Sequence, residues 1–523
     1  MGIYLNPTKI GFQDAVRSEI YVDKSELIAY TNRCIGTEQK FICVSRPRRF
    51  GKSMAAKMLS AYYCRTCDSR DLFANLKISK DASYKEHLNQ YNVLFINMQR
   101  FLSRSADMEK MLGNLQSAIL EDLREDYAAY FSSAEICLVS VLEKIYAKSE
   151  QGFIFIIDEW DCVFREKQLA VEDHKKYLDF LRDLLKDQPY IKLAYMTGIL
   201  PVKKYGTHSA LNMFDEYSMT RAGRLAEFAG FTETEVKNLC VRYDMDFLET
   251  KRWYDGYSLK NETHIYNPKS VVDAMRNQEF GSYWTSTESY EALKVYIDMD
   301  YDGLKTAIVQ MLGGECCPVN TRTFTNDMTT FASKDDVLTL LVHLGYLAFR
   351  NDTQEVYIPN EEVRGEFLSA MDREKWPEVI HSVELSRQLL NATLQEDAVT
   401  VAKGIDMVHM NTTSILQYNN ENALSCVISL AYYTARDEYF LMRELPTGKG
   451  FADIVFLPRK HSNKPAIVVE LKWDASAEGA IAQMKQKQYG EALQDYCGEV
   501  LLVGINYDKK DKHHQCMIEK MKK

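Results

Sequence analysis

Residues 41–63 constrain this chain more than any other stretch. Phe41-Ile-Cys-Val44 is continuously apolar, Ser45-Arg-Pro-Arg-Arg-Phe-Gly-Lys-Ser53 follows as a loop, and a helical pattern runs from Lys52 to about Tyr63. A buried strand that delivers Gly-Lys-Ser to a helix start can cradle phosphates. Backbone N–H groups curl around them, the lysine reaches the outer ones, and the hydroxyl holds magnesium. Gly51, Lys52 and Ser53 supply that half of the motif, whereas Arg46 stands where G-x-x-x-x-G-K-[ST] has its first glycine. Arg46, Arg48 and Arg49 add positive charge beside the expected phosphates.

Three further apolar runs, Val93–Asn97, Phe153–Ile157 and Ile191–Tyr195, alternate with helical patterns. Strands that are apolar throughout are covered on both faces, so the first 227 residues read as a three-layer α/β domain with a parallel sheet. Asp158-Glu159 ends the third run, 106 positions after Lys52. In that place an Asp completes a magnesium shell and a Glu polarises the attacking water. Thr197 closes the next run; it reads equally as a sensor facing the γ-phosphate or as the start of a Thr-Gly turn.

From Phe228 to Arg322 the pattern is helical, with Thr232 and Glu235 spaced as a capping box. A helix over Lys334–Leu344 followed by Tyr346–Arg350 and Glu355–Ile358 has the outline of a winged helix. Residues of about 360–415 read as helical, and from Asn420 a second α/β core is expected, in the order helix, three strands, helix, strand. Glu470 and Lys472, two apart on a strand, share a face, and Asp453 heads the strand before. Antiparallel pairing would bring the two carboxylates together around a hard divalent ion, which lowers the pKa of a bound water; Lys472 would orient that water. Glu421 is a further candidate acid and Gln483 a supporting side chain; Tyr489 reads as packing.

The chain has 523 residues and a formal net charge of −10, which excludes a uniformly basic nucleic-acid binder. Residues 441–523 carry +3, making the C-terminal part the place for a polyanion. The N-terminus lacks an apolar signal-peptide core, and no apolar run is long enough to span a bilayer, so no membrane partner and a cytoplasmic location are expected. The scattered cysteines fit a reducing compartment; Cys64-Arg-Thr-Cys67, inside a helical stretch, lacks the second pair a zinc site needs, and His513-His514 with Cys516 reads as a surface tail.

At these residues the chain resembles a bacterial arrangement: an AAA-ATPase-like domain followed by a PD-(D/E)XK nuclease-superfamily domain. The resemblance rests on Tyr21-Val-Asp-Lys24, Arg46–Ser53, Ile157-Asp-Glu159, Met196-Thr-Gly198, Trp253–Tyr257, Tyr266-Asn-Pro268, Gly448–Asp453 and Glu470-Leu-Lys472. It implies that arginine at position 46 is a family trait, and that Asp453, Glu470 and Lys472 form a nuclease triad supported by Gln483. It also implies a P-loop domain over 1–227, a helical and winged-helix-like region over 228–385, and a restriction-endonuclease-like core over 386–523. The expected cofactors are ATP and Mg²⁺, and the expected partner is DNA or RNA. The competing reading is a nucleotide-dependent switch or scaffold whose C-terminal core binds without cutting. A third is a sugar- or peptide-binding ATPase.

Overall fold

The computed structural model describes residues 2–131, 137–165, 169–202, 211–259, 262–284, 290–299, 301–325, 331–371, 375–412, 421–447, 450–459, 464–487, 493 and 499–521. The chain divides into two compact units. Met1–Glu288 and Pro318–Val363 form the first, and Ser289–Cys317 and Arg364–Lys523 form the second.

The first unit is built on five parallel strands: β1 (Phe41–Ser45), β2 (Asn92–Asn97), β3 (Phe153–Asp158), β4 (Ile191–Gly198) and β5 (Asp215–Tyr217), in the order β2-β3-β4-β1-β5. Four of them are the expected apolar runs; β1 and β3 are buried along their whole length. The register pairs Asn97 with Asp158 and Val44 with Thr197, so the carboxyl ends of β1–β4 finish level. Loops at that edge of a parallel sheet are where ligands bind. β5 is three residues long and polar, and carries no apolar run by which sequence could announce it.

Helix Lys52–Tyr63 packs on this sheet through Ala56, Leu59 and Tyr63, all fully buried. It ends at Tyr63, with Cys64 as its C-cap, so the Cys64–Cys67 pair lies beyond the helix, not inside it. The region expected to be wholly helical also contains a small antiparallel sheet of Phe231–Thr232, Tyr257–Leu259 and Glu262–Tyr266. Tyr257 packs its ring 5.2 Å from that of Phe50 in the phosphate loop and donates its hydroxyl to Gly345 O, 2.7 Å away. Asn267 caps helix Pro268–Asn277 by accepting from Lys269 N at 2.9 Å. Helix Lys334–Leu344 and the antiparallel strands Ala348–Arg350 and Glu355–Tyr357 follow as expected.

The second unit has its own five-stranded sheet, β6 (Tyr439–Thr447), β7 (Gly450–Pro458), β8 (Ala466–Trp473), β9 (Val500–Asp508) and β10 (His513–Met521), ordered as numbered. Only β8 and β9 run parallel; helix Ala477–Gln486 is described on the connection between them. The segment read as a surface tail is β10, paired antiparallel to β9 throughout. His514 is buried and its Nδ1 lies 2.7 Å from Asp406 Oδ1, which anchors that strand to helix Ala398–Thr412. Helix Leu304–Leu312 belongs to this unit, its C-terminal carbonyls Met311 O and Leu312 O accepting from the buried Arg364 guanidinium. No helix among the described residues is long and apolar enough to cross a membrane.

Candidate functional site

The phosphate loop leaves β1 at Ser45 and reaches helix Lys52–Tyr63 through two left-handed residues, Arg49 at φ +69° and Gly51 at φ +87°. Gly51 is the N-cap and no side chain caps this helix start. Its first N–H groups therefore keep the capacity to bind an anion. The loop opens onto a cavity of about 1160 Å³, with Arg48, Arg49, Gly51, Lys52, Ser53 and Glu159 on its polar side. Ile20, Tyr21, Val22, Phe228, Phe231 and Val272 give it apolar lining.

Lys52 is buried and its Nζ donates to Pro47 O at 2.9 Å. Burial holds its ammonium below the ordinary lysine value, against the opposing pull of Glu159, Asp161 and Asp158. Asp158 accepts from the Thr197 hydroxyl through Oδ1 and from Asn97 Nδ2 at 3.4 Å through Oδ2. Thr197 thus addresses Asp158, deep in the sheet edge. Glu159 sits at φ +56° with its carboxylate paired to Arg165, whose Nε lies 3.4 Å from Asp161 Oδ2.

Arg46 is not brought to the cavity. Its side chain is fully buried and donates to Ser45 O (2.9 Å) and Tyr217 O (2.7 Å), and burial pulls its pKa down to about 10. The carbonyl edge of β5, invisible in the sequence, draws it inward. Sequence reasoning also missed Asn97 and Arg165. Asn97 ends an apolar strand and could have been suspected, but nothing marks Arg165.

In the second unit, β7 and β8 pair antiparallel with Ile454 opposite Val469, which sets Asp453 and Glu470 next in line. Asp453 lies within β7, not at its head, because pairing with β6 begins at Gly450. Its Oδ2 accepts from Leu471 N at 2.7 Å. Lys472 Nζ is 3.1 Å from Glu470 Oε1, and Gln483 donates its side-chain amide to the same oxygen. Gly504 on β9 makes the last contact possible: a Cβ there would meet Ala477 O at 2.4 Å, so helix Ala477–Gln486 rests directly on the strand and carries Gln483 to Glu470.

Glu470 is 2% exposed and its Oε2 has no hydrogen-bond partner among the described residues. Burial raises its proton affinity, Asp453 raises it further, and Lys472 lowers it. A divalent cation held by Asp453 and Glu470 would offset the cost of this buried negative charge, so these residues fit one. Glu421 lies on helix Glu421–Ala431, but its side chain is outside the described residues, as is Tyr489. Among the described residues no third His, Cys, Asp or Glu completes a metal-binding group.

The Gly-Lys-Ser loop thus lies on a large cavity in the first unit, and a carboxylate pair lies beside a strand lysine in the second. Residues 12–207 match the family described as predicted AAA-ATPase, and residues 419–516 match the PD-(D/E)XK nuclease superfamily. The chain therefore carries an ATPase-like domain and a nuclease-superfamily domain. It is similar to the Walker-type ATPase of Pyrococcus abyssi (12% identity, 66% of this chain, 94% of that chain, TM-score 0.35). It is also similar to the Aeropyrum pernix ORC2 protein in its ADPNP–ADP complexes (10%, 68% and 95%, 0.31). The Aeropyrum pernix ORC1 protein in complex with DNA is a further likeness (11%, 71% and 97%, 0.28). No curated protein matches the sequence.

Proposed function

We propose that this protein is a cytoplasmic ATPase joined to a metal-dependent nuclease acting on DNA or RNA phosphodiesters. Lys472 and Gln483 meet on Glu470 Oε1, Asp453 lies on the paired strand, and the buried Glu470 Oε2 has no hydrogen-bond partner among the described residues; this arrangement carries the reading. Asp453 and Glu470 hold the cation, whose chemistry is to stabilise charge on a phosphodiester oxygen and to acidify water. Lys472, 3.1 Å from Glu470, opposes the rise in proton affinity that burial gives that carboxylate and places a positive charge beside the scissile group. Gln483 fixes the orientation of the Glu470 side chain.

In the ATPase-like domain, the uncapped helix start and Lys52 bind the phosphates of ATP. Ser53 and Asp158 are the magnesium ligands, and Thr197 and Asn97 orient Asp158. Glu159 takes the proton of the attacking water once its carboxylate is released from Arg165. Arg48 and Arg49 line the cavity and add to its positive field.

ATP turnover measured with single-stranded DNA, duplex DNA and RNA added separately tests the reading. Wild type should hydrolyse ATP and respond to one of the three, and Lys52→Ala should be inactive. Turnover in Lys52→Ala equal to wild type, or no response to any nucleic acid, contradicts it.

A further inference from the structure

Glu159, the base proposed above, is not free in this conformation. Its carboxylate is paired with Arg165, and the pair is mostly shielded, at 23% and 11% side-chain exposure. Shielding matters because an exposed pair of this kind would be too weak to restrain anything. Arg165 has a second carboxylate at hand, Asp161, at 3.4 Å. Asp161 is itself fixed, its Oδ2 accepting from Ile199 N at 3.0 Å and Leu200 N at 2.8 Å.

The backbone around the pair is clamped. Trp160 N donates to Thr197 O at 3.0 Å, Cys162 N to Glu159 O at 3.1 Å, and the Tyr177 hydroxyl to Trp160 O at 2.6 Å. Glu159 is held left-handed at φ +56°, a conformation a glutamate enters only when its surroundings impose it. The paired side chains of Glu159 and Arg165 project from this clamped backbone. Both line the cavity that Lys52 lines, and a triphosphate bound to Lys52 would bring its terminal phosphate into the same polar corner.

We propose that Arg165 is a positioning residue that exchanges partners: it restrains Glu159 when the terminal phosphate is absent and turns to that phosphate when it is present, freeing Glu159 to receive the water proton. A guanidinium suits the exchange, since its planar fork pairs equally with a carboxylate or a phosphate. The diphosphate lacks the competing group, so after hydrolysis and phosphate release the pair re-forms. The cycle would then switch off its own base between turnovers. This inference rests on the nucleotide-binding reading.

The test is the ratio of affinities for a non-hydrolysable ATP analogue and for ADP, both with Mg²⁺, in wild type, Glu159→Gln, Arg165→Gln and the double variant. A ligand shifts such an equilibrium only through its differential affinity for the two states. Glu159→Gln removes the carboxylate that competes for Arg165, so it should tighten the analogue on the order of tenfold while ADP is unchanged. Arg165→Gln should weaken the analogue on the order of tenfold and spare ADP. The double variant should match Arg165→Gln, because without the arginine there is nothing left to compete for. Unchanged ADP affinity also reports that each variant is folded, and if Arg165→Gln fails to fold, Glu159→Gln decides alone. An analogue-to-ADP ratio equal to wild type in Glu159→Gln, or equal losses for both nucleotides in Arg165→Gln, overturns the exchange. Wild type that binds neither nucleotide would instead remove the nucleotide-binding reading and the exchange with it.

Discussion

Replacing Gly504 with alanine tests how the nuclease-like site is positioned. The added Cβ would lie 2.4 Å from Ala477 O, 3.0 Å from Ala480 Cβ and 3.2 Å from Ile481 Cγ1. Carbon and oxygen do not approach closer than about 3.0 Å without cost, so helix Ala477–Gln486 must lift off β9 by at least roughly 0.6 Å. The 2.4 Å clash is with backbone, so it cannot be relieved by a rotamer change. Gly504 has ordinary negative-φ geometry, and alanine brings no strain of its own there. Overpacking of this kind costs about 1–3 kcal/mol. The lifted helix carries Gln483 away from Glu470 Oε1, and a misplacement approaching 1 Å can lower a rate by about a hundredfold. Urea unfolding of the full chain and a nucleic-acid cleavage assay measure both effects. Ala480→Gly added to Gly504→Ala should not restore either one, since it removes only the 3.0 Å contact. Wild-type stability and cleavage in Gly504→Ala would refute the account of why this glycine is there.

Gly51→Ala would place a Cβ in open space but at φ +87°, so it should cost about 1–2 kcal/mol through backbone strain alone and weaken ATP, measured by titration and urea unfolding. His343 is buried, ring-stacked on Phe324 and held near pKa 3 by burial and the Arg46 charge. Its value lies below that of the unfolded chain, so its stabilising contribution is full above about pH 6.5 and is lost as the pH falls toward 3, with a slope of up to about 1.4 kcal/mol per pH unit. His343→Phe should therefore flatten the acid limb of a stability–pH curve. Thr197→Val removes the hydroxyl bound to Asp158 Oδ1 and should cost about 1–3 kcal/mol together with ATP turnover, read by urea unfolding and phosphate release.

Much of this architecture was legible because burial leaves a mark on sequence. The four apolar runs became β1–β4, and the helix expected from Lys52 to Tyr63 has those ends. Thr232 and Glu235 form the capping box their spacing announced. Asp453, Glu470, Lys472 and Gln483 meet, because alternation along a strand and antiparallel pairing are local rules. What sequence could not carry depends on distant partners. Arg46 turns inward to the Tyr217 carbonyl, and Arg165 gains its meaning only from the Glu159 carboxylate. β10 mixes polar and apolar residues and becomes a strand because β9 offers it a complete ladder. Helix Leu304–Leu312 joins the second unit through contacts such as Cys426 Sγ with Val309 O, more than a hundred positions apart in the chain.

Cleavage of nucleic acid by wild type, Glu470→Ala and Lys52→Ala, each with and without ATP in the presence of Mg²⁺, decides whether the two domains work together as an ATP-responsive nuclease. Wild type should cleave, Glu470→Ala should not, and Lys52→Ala should cleave without responding to ATP. Equal residual cleavage in all three proteins would contradict that reading.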